Sequence, residues 1–418
     1  MRFQRLAVLT CAMGTLTVNI NNTALNLALP SIRNELELDL STMQWVSATY
    51  VLVLAALTML GGALGDRFNK RTVLLVGLVI YTLGSVLGAM APTGDVLVLS
   101  RVLAAIGAAV LVPVGLAVLR VLAQTPQQLA SYMATWGLSV GLGMALGPVA
   151  GGMLTSLLGW RSFFIAMVLL GVVFFIAVSS FLPSLPGSKD RGIDLPSHFL
   201  LAVAMFAVTA LFIEMESGVL GLVLVGLGAL AALAAAFWLW MNRRARHPVV
   251  PPQAMTDRSF STSMLIAFAN YLCLGITLFV SALLLQDLMG IGPGAAGAVS
   301  IPLAAATAVG ARWAGSATTT PAAKRVVRLA GTAIILGVVV VALGVVFLEL
   351  RDATWVPLTA FILGTLLMGL GFGAANTPVN FLAMTSLPKG ISGAAGSSAS
   401  ASRQLGQSVV SSGGCNTG

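Results

Sequence analysis

Charged and amide side chains lie inside apolar stretches of the sequence, and their positions define the chemistry available to the chain. Arg101 stands about one turn into a segment that is otherwise apolar through Leu119. Asn21, Asn22 and Asn26 interrupt an earlier apolar stretch. A charge or amide in such surroundings is costly unless it faces a partner or a water-filled cavity. We therefore expect these side chains to face the protein interior; for Arg101 the alternative is a side chain that reaches the surface at the segment's end.

The amino-acid composition indicates what kind of protein positions these groups. Of 418 residues, 58% are apolar and 8% charged, whereas a soluble domain carries about 25% charged residues. Mean hydropathy is +0.98, and long apolar stretches recur along the whole chain, which predicts a polytopic membrane protein. The net charge of +9 is spread over short loops, which argues against a nucleic-acid partner. No nucleotide loop, zinc cluster or catalytic triad is evident, so the sequence supports neither an enzyme nor a bound cofactor.

Apolar windows between charged or Gly/Pro breaks predict twelve membrane helices. The first six lie near residues 6–28, 43–64, 73–91, 96–119, 130–156 and 163–182. The others lie near 197–215, 219–241, 261–286, 294–317, 326–348 and 354–382. From Ile391 onward small and polar residues dominate, and we expect a helix that starts there and is cut off.

Basic residues test this helix count, because an error of one helix would invert every later loop. With the N-terminus in the cytoplasm, seventeen of the 22 Lys and Arg residues fall in inner loops. Three fall in outer loops, namely Arg33, Arg161 and Arg351. The distribution predicts a multi-pass protein of the cell (plasma or inner) membrane with a cytoplasmic N-terminus.

The loop between the second and third predicted helices places one acid among three bases. It reads Gly-Ala-Leu-Gly-Asp66-Arg67-Phe-Asn69-Lys70-Arg71 and resembles the signature of the major facilitator superfamily at this loop. Topology alone would account for the bases but not for the acid. The resemblance implies that this loop, with its acid and its bases, forms a cytoplasmic latch that holds one face of a transporter closed. Asn69 stands where the family has Gly, and we expect it to take a left-handed turn.

Two further strings carry the resemblance. The segment around Arg101 is similar to the superfamily's fourth-helix motif, which implies a role for Arg101 in proton transfer. The fifth span contains Gly143-Met-Ala-Leu-Gly147-Pro148-Val-Ala-Gly151-Gly152, which reproduces the motif of the drug/proton antiporters. Glycines at this spacing make a flat face for helix packing, and the proline bends the axis. The resemblance implies a helix that prevents proton leakage and favours export; general helix packing is the alternative.

Other polar residues are candidates for the substrate cavity. The first span resembles the fourteen-helix branch of the antiporters, with Asn21 in the position of that branch's Asp. An amide cannot take up a proton, so either coupling uses another acid or the substrate is not a lipophilic cation. Glu214 ends the seventh span, as an acid does in that branch; an outer-loop charge is the alternative. Candidate amides of the second half, which could instead only join helices, are Asn270, Asn376 and Asn380.

The resemblance covers nearly the whole chain and implies an all-α major facilitator fold. It divides the chain into a six-helix bundle at 1–182, a linker with an inserted helix pair at 183–260, and a truncated second bundle at 261–418. The implied function is proton-coupled export of small amphipathic compounds, such as drugs, antibiotics and toxic metabolites, by alternating access. We expect a monomer in the lipid bilayer, with protons and a small-molecule substrate as its partners and no cofactor beyond the proton gradient. The alternatives are an exporter of one metabolite, such as an amino acid or sugar, and a non-functional truncated transporter.

Overall fold

The computed structural model describes residues 2–188, 192–214, 221–246, 248–250, 254, 256–282, 301–318, 323–350, 355–386 and 392–411. This part of the chain forms thirteen long helices and contains no strand. The first eight are α1 (Arg2–Leu36), α2 (Leu40–Arg67), α3 (Lys70–Ala89), α4 (Gly94–Leu122), α5 (Pro126–Leu158), α6 (Arg161–Phe181), α7 (Leu195–Glu214) and α8 (Gly221–Arg244). The remaining five are α9 (Arg258–Ala282), α10 (Ile301–Ala317), α11 (Ala323–Leu350), α12 (Trp355–Thr385) and α13 (Ser392–Ser411).

Apolar windows located these helices well. Each of the twelve predicted spans coincides with one of α1 to α12 over the described residues. Within the described part, nine helices are long and apolar enough to cross a membrane. Large apolar side chains on α8 face outward, as Leu222 does with 84% of its surface exposed, which suits a helix surrounded by lipid. The all-helical architecture predicted from the sequence is therefore confirmed.

The last helix corrects the sequence-based expectation. We expected only the start of a helix after Ile391, whereas α13 runs for twenty residues from Ser392 to Ser411. Ala395 and Ala399 are fully buried, and Gly406 lies against the backbone of α9. Because α13 contacts α2, α4 and α9, small residues that allow close approach suit it better than apolar bulk. The prediction failed because it measured hydropathy, which reports exposure to lipid.

The helices pack in two groups and one pair. In the first group (α1–α6), α4 lies centrally against α1, α2 and α3, and α5 packs along α1. In the second group (α9–α13), α12 contacts α9, α10 and α11. The two groups meet where α5 contacts α10 and α12, and where α2 and α4 contact α13. Helices α7 and α8 form a pair whose α7 contacts α2 and α13.

Local sequence fixes the ends of α5, the helix that carries the longest glycine motif. Thr125 caps its start, because the Thr125 hydroxyl accepts a hydrogen bond from the Gln128 amide at 3.2 Å, and Pro126 occupies the first turn. At the other end Gly159 has φ of 80°, a conformation that side-chain-bearing residues rarely adopt. A proline at one end and a glycine just beyond the other thus define a helix that faces both groups.

Candidate functional site

Arg101 is buried inside the first group and is held by side chains from three other helices. Its guanidinium Nη1 donates a hydrogen bond to Asn21 Oδ1 at 2.6 Å. Asn21 Nδ2 in turn donates to the Tyr81 hydroxyl oxygen at 2.9 Å. The Tyr50 ring lies under the guanidinium, with 4.4 Å between its centroid and Arg101 Cζ. Helices α1, α2 and α3 thus converge on one cation of α4.

This cluster contains a charge without an ionic partner. Arg101 is 2% exposed, so its side chain does not extend to the surface as the alternative interpretation required. No carboxylate pairs with Arg101 in the described part of the chain. Its Nε and the Tyr50 hydroxyl also have no hydrogen-bond partner among these residues. An aromatic ring under the cation and an amide oxygen offset part of the cost of burial.

The glycines of α5 lie directly against α1. A Cβ atom added at Gly143 would lie 2.8 Å from Asn19 Cβ and 2.9 Å from the Leu16 carbonyl oxygen. At Gly147 it would overlap the Thr23 hydroxyl, and at Gly151 it would overlap the backbone of α1. Real Cβ contacts are rarely closer than about 3.4 Å, so these positions admit only glycine without a shift of one helix.

The remaining residues of these two motifs lie on the same two helices. Pro148 lies inside α5, and Gly152 is buried. On α1, Asn22 is half-buried next to the fully enclosed Asn21. The side chain of Asn26, a further predicted cavity residue, lies outside the described residues. The contact between α1 and α5 therefore joins the amide-rich stretch to the glycine motif.

Asp66 links the loop after α2 to the other helix group. Its side chain is 3% exposed, and Asp66 Oδ2 accepts a hydrogen bond from the Ala394 amide at 3.1 Å. Ala394 lies in the first turn of α13, where free amides and the helix dipole attract negative charge. The predicted latch acid is thus placed at the start of a helix from the second group.

The rest of this loop is braced by the last turn of α6 and the segment that follows it. Asn69 Nδ2 donates to Ser184 Oγ at 2.6 Å, and the Lys70 amide donates to the Leu185 carbonyl at 3.0 Å. Arg71 donates through its guanidinium to the Ser179 carbonyl. Arg67 stacks on the neighbouring Phe68 ring, with Cζ at 5.6 Å from the centroid.

Asn69 itself corrects an expectation. Its φ of −61° and ψ of 119° are extended rather than left-handed. The residue caps α3, because Asn69 Oδ1 accepts a hydrogen bond from the Arg71 amide at 3.0 Å. Asparagine is a strong N-cap residue, so the Asn side chain replaces the glycine through capping and not through unusual backbone geometry.

A second buried arginine, which the sequence interpretation did not select, lies on α13. Arg403 is 4% exposed and donates from Nη1 to Asn380 Oδ1 at 2.7 Å and from Nη2 to Ser400 Oγ at 2.8 Å. Its Cζ lies 4.7 Å from the ring centroid of Trp136 and 5.9 Å from that of Tyr271. The signal in the sequence was a lone charge among the small residues that follow Ile391, beyond the twelve predicted spans.

The three candidate amides of the second half have different surroundings. Asn380 Nδ2 donates to the Asn376 carbonyl at 2.7 Å, and Asn376 Nδ2 donates to the Phe372 carbonyl at 3.2 Å. Asn270 is 5% exposed, and its Oδ1 has no partner among the described residues. Asn380 Oδ1 also accepts the hydrogen bond from Arg403. The side chain of Glu214 lies outside the described residues.

A cavity of about 360 Å³ opens where the α7–α8 pair meets both groups. Its walls come from α2, α7, α8, α9 and α13 and are mostly apolar. They include Met59, Met205, Trp238, Phe260, Met264 and Ser402. The Trp238 indole nitrogen has no hydrogen-bond partner in the described structure. Apolar walls with a few polar groups are typical of sites for small molecules.

Comparison with known proteins now identifies the family. The profile described as Major Facilitator Superfamily matches residues 11–411. The chain belongs to the major facilitator superfamily. Among solved structures, the proton:xylose symporter XylE superposes with a TM-score of 0.68 over 98% of this chain and 88% of that chain, at 13% identity. The human organic anion transporter MFSD10 gives 0.63 over 98% and 93%, at 15% identity. At such low identity these likenesses show the shared fold alone.

Similar proteins within the superfamily include several resistance proteins. The methylenomycin A resistance protein of Bacillus subtilis is 30% identical over 72% of this chain, which spans 65% of that protein. The puromycin resistance protein pur8 of Streptomyces alboniger is 30% identical over 94% of this chain and 77% of its own length. The multidrug resistance protein Stp of Mycobacterium tuberculosis is 26% identical over 98% and 74%. Major facilitators are in general membrane transporters driven by ion gradients, without an enzymatic activity or a bound cofactor.

Proposed function

We propose that this major facilitator is a proton-coupled exporter of small amphipathic compounds, including drugs and antibiotics, that works by alternating access. The observation that carries the proposal is the glycine face of α5 at Gly143, Gly147 and Gly151, which packs on α1 at contact distance. This is the string that resembles the antiporter motif. The resistance proteins similar to this chain, named for puromycin, methylenomycin A and multiple drugs, support the same substrate class.

The contact between Asp66 and α13 supports a latch between the two groups. A carboxylate at a helix N-terminus stabilises the contact by about 0.3–2 kcal/mol, an amount that substrate or proton binding can overcome. With the N-terminus in the cytoplasm, as the loop charges predict, this latch closes the cytoplasmic side of a protein in the cell membrane. The described arrangement then represents the state closed to the cytoplasm, and parting of α2 and α4 from α13 opens it.

Proton coupling in this proposal needs a group other than Asn21. Its amide accepts a hydrogen bond from Arg101 but cannot bind and release a proton. We propose that Arg101 organises the polar interior of the first group and that an acid elsewhere, with Glu214 as the candidate, exchanges the proton. We also propose that the protein acts as a monomer in the bilayer.

The cavity beside the α7–α8 pair is suited to amphipathic compounds. Methionine side chains adapt to ligands of different shape, and three of them line this cavity. Its position between the pair and both groups means that movement of one group against the other would change its shape.

An efflux assay tests the proposal. Cells lacking their own pumps would express the chain and be challenged with dyes and antibiotics, with and without a protonophore. We expect the cells to accumulate less of several unrelated compounds, and we expect the protonophore to abolish this reduction. Asp66→Asn should greatly reduce this activity, whereas Gly226→Ala on α8, where an added Cβ meets no atom within 4 Å, should retain it. No export of any amphipathic compound, with export of one amino acid or sugar, would favour the alternative function.

A further inference from the structure

Two buried guanidinium groups have no carboxylate to balance them in the described part of the protein. Arg101 and Arg403 are 2% and 4% exposed, and neither takes part in an ion pair there. The one buried carboxylate among the described side chains is Asp66. It interacts with the first turn of α13, nine residues before Arg403, which corresponds to about 14 Å along a helix. The described interior is therefore a cationic environment.

Of the two arginines, Arg403 is the one between the helix groups. Among the described residues, Arg101 contacts Asn21 of α1 and Tyr50 of α2, and Asn21 in turn bonds to Tyr81 of α3, all within the first group. Arg403 instead contacts Asn380 and Tyr271 of the second group and Trp136 of the first group. Relative movement of the groups would change the contact with Trp136. In transporters of this architecture the substrate lies at this interface between repeats.

The surroundings of Arg403 provide a second donor and an apolar wall. Trp136 is 1% exposed, and its indole N–H has no acceptor among the described residues. Tyr271 packs on Phe372 with ring centroids 5.1 Å apart. A guanidinium and an indole N–H beside aromatic rings match a ligand that has an anionic group attached to an apolar body.

We infer that the interface where α5, α9, α12 and α13 meet around Arg403 binds substrates carrying a carboxylate or a similar compact anionic group, with Arg403 as the counter-charge. The Trp136 indole N–H is the second donor to that group, and Tyr271 and Phe372 contact the apolar part. The inference rests on the proposed function, because it names the substrate class of the same transporter. It also accounts for an amide at position 21, since a cationic environment disfavours cationic drugs.

Binding of two matched probes to the purified chain tests this inference. Equilibrium dialysis in detergent micelles would compare 2-naphthoate with 2-naphthamide, its neutral counterpart of nearly equal size, with subtraction of binding to empty micelles. Charge-assisted hydrogen bonds predict that naphthoate binds about tenfold to a hundredfold more tightly than naphthamide. Equal binding of the two probes would overturn the inference.

Single-residue variants test which side chains produce the stronger binding of naphthoate. Arg403→Met should remove the preference for naphthoate over naphthamide, and Arg403→Lys should keep part of it. Trp136→Phe should weaken the binding of naphthoate and leave that of naphthamide unchanged. Arg244→Gln is the control, because Arg244 also stacks on a tryptophan, Trp240, at 4.3 Å but lies at the end of α8. A preference that survives Arg403→Met contradicts the assignment. If that variant does not fold, as judged by circular dichroism, unchanged preference in both Arg403→Lys and Trp136→Phe overturns it.

Failure of the binding preference and failure of the proposed export function can be told apart. Export of neutral dyes without any preference for naphthoate would overturn the substrate class and leave the exporter intact. A clear preference for naphthoate in a chain that exports nothing would leave the binding site and overturn the exporter.

Discussion

Substitution of Gly147 by alanine tests the contact between α5 and α1 at the level of single atoms. The added Cβ would overlap the Thr23 hydroxyl and lie 3.1 Å from Thr23 Cβ and 3.2 Å from the Ile20 carbonyl oxygen. Thr23 cannot turn away freely, because its hydroxyl donates to the Asn19 carbonyl at 2.9 Å. Overpacking of this kind costs about 1–3 kcal/mol. Gly147→Val, with two more methyl groups, should cost more and abolish coupled export.

The matched control is Gly226→Ala on α8. An added Cβ there meets no atom within 4 Å, and alanine is favoured over glycine in a helix by about 0.8–1 kcal/mol. The same substitution is therefore expected to destabilise the protein at Gly147 and to be neutral or stabilising at Gly226. The melting temperature of the purified protein in detergent measures the difference, and dye efflux measures its effect on transport.

A second substitution identifies the atoms involved. Thr23→Ala removes the hydroxyl that the new Cβ overlaps, so the pair Gly147→Ala and Thr23→Ala should be more stable than the sum of the single variants predicts, by about 0.5–3 kcal/mol. Equal melting temperatures for Gly147→Ala and Gly226→Ala, or strict additivity with Thr23→Ala, would refute the proposed contact.

Three other substitutions test different parts of the structure. Asp66→Asn removes the charge at the start of α13 and should greatly slow efflux while membrane insertion, measured by surface labelling, is unchanged; normal efflux would contradict the latch. Asn21→Asp places a carboxylate against Arg101, which already donates to this side chain at 2.6 Å; the new carboxylate balances a buried positive charge, so ethidium export should rise while export of a neutral drug changes little, and equal changes would make Asn21 purely structural. The Arg161 guanidinium, together with Trp160, lowers the pKa of Glu35 below its ordinary value of 4.5, so its stabilising contribution is present above that pH and is lost as pH falls through the lowered pKa. Glu35→Gln should reduce the acid sensitivity of the melting temperature, but only slightly, because this ion pair is exposed and exposed pairs contribute little to stability; an unchanged acid profile would contradict its role.

Most of the fold follows from apolar length, because a chain in lipid must satisfy its backbone hydrogen bonds within helices. The positions of α1 to α12 are predictable on that basis. Helix α13 is not, since its neighbours cover it and its small residues carry little hydropathy. The conformation of Asn69 was predicted wrongly because asparagine suits both a left-handed turn and a helix N-cap, and the sequence of the loop does not decide between them.

The site was only partly predictable, since contacts between distant residues depend on how helices pack. The sequence indicates that Arg101 must have a partner, and the structure supplies Asn21, eighty residues away. The sequence gives no sign that Arg403 lies over Trp136 of the other group. Pairing across groups depends on register between α5 and α13, which no local pattern records.

Transport in proteoliposomes tests the central claim of proton-coupled export most directly. The purified chain would be reconstituted, a pH gradient imposed, and uptake measured for the compound that cells export most strongly. Uptake driven by the gradient, abolished by a protonophore and greatly reduced in Asp66→Asn, is the predicted result. Uptake equal to that of protein-free liposomes, or independent of the gradient, would contradict it.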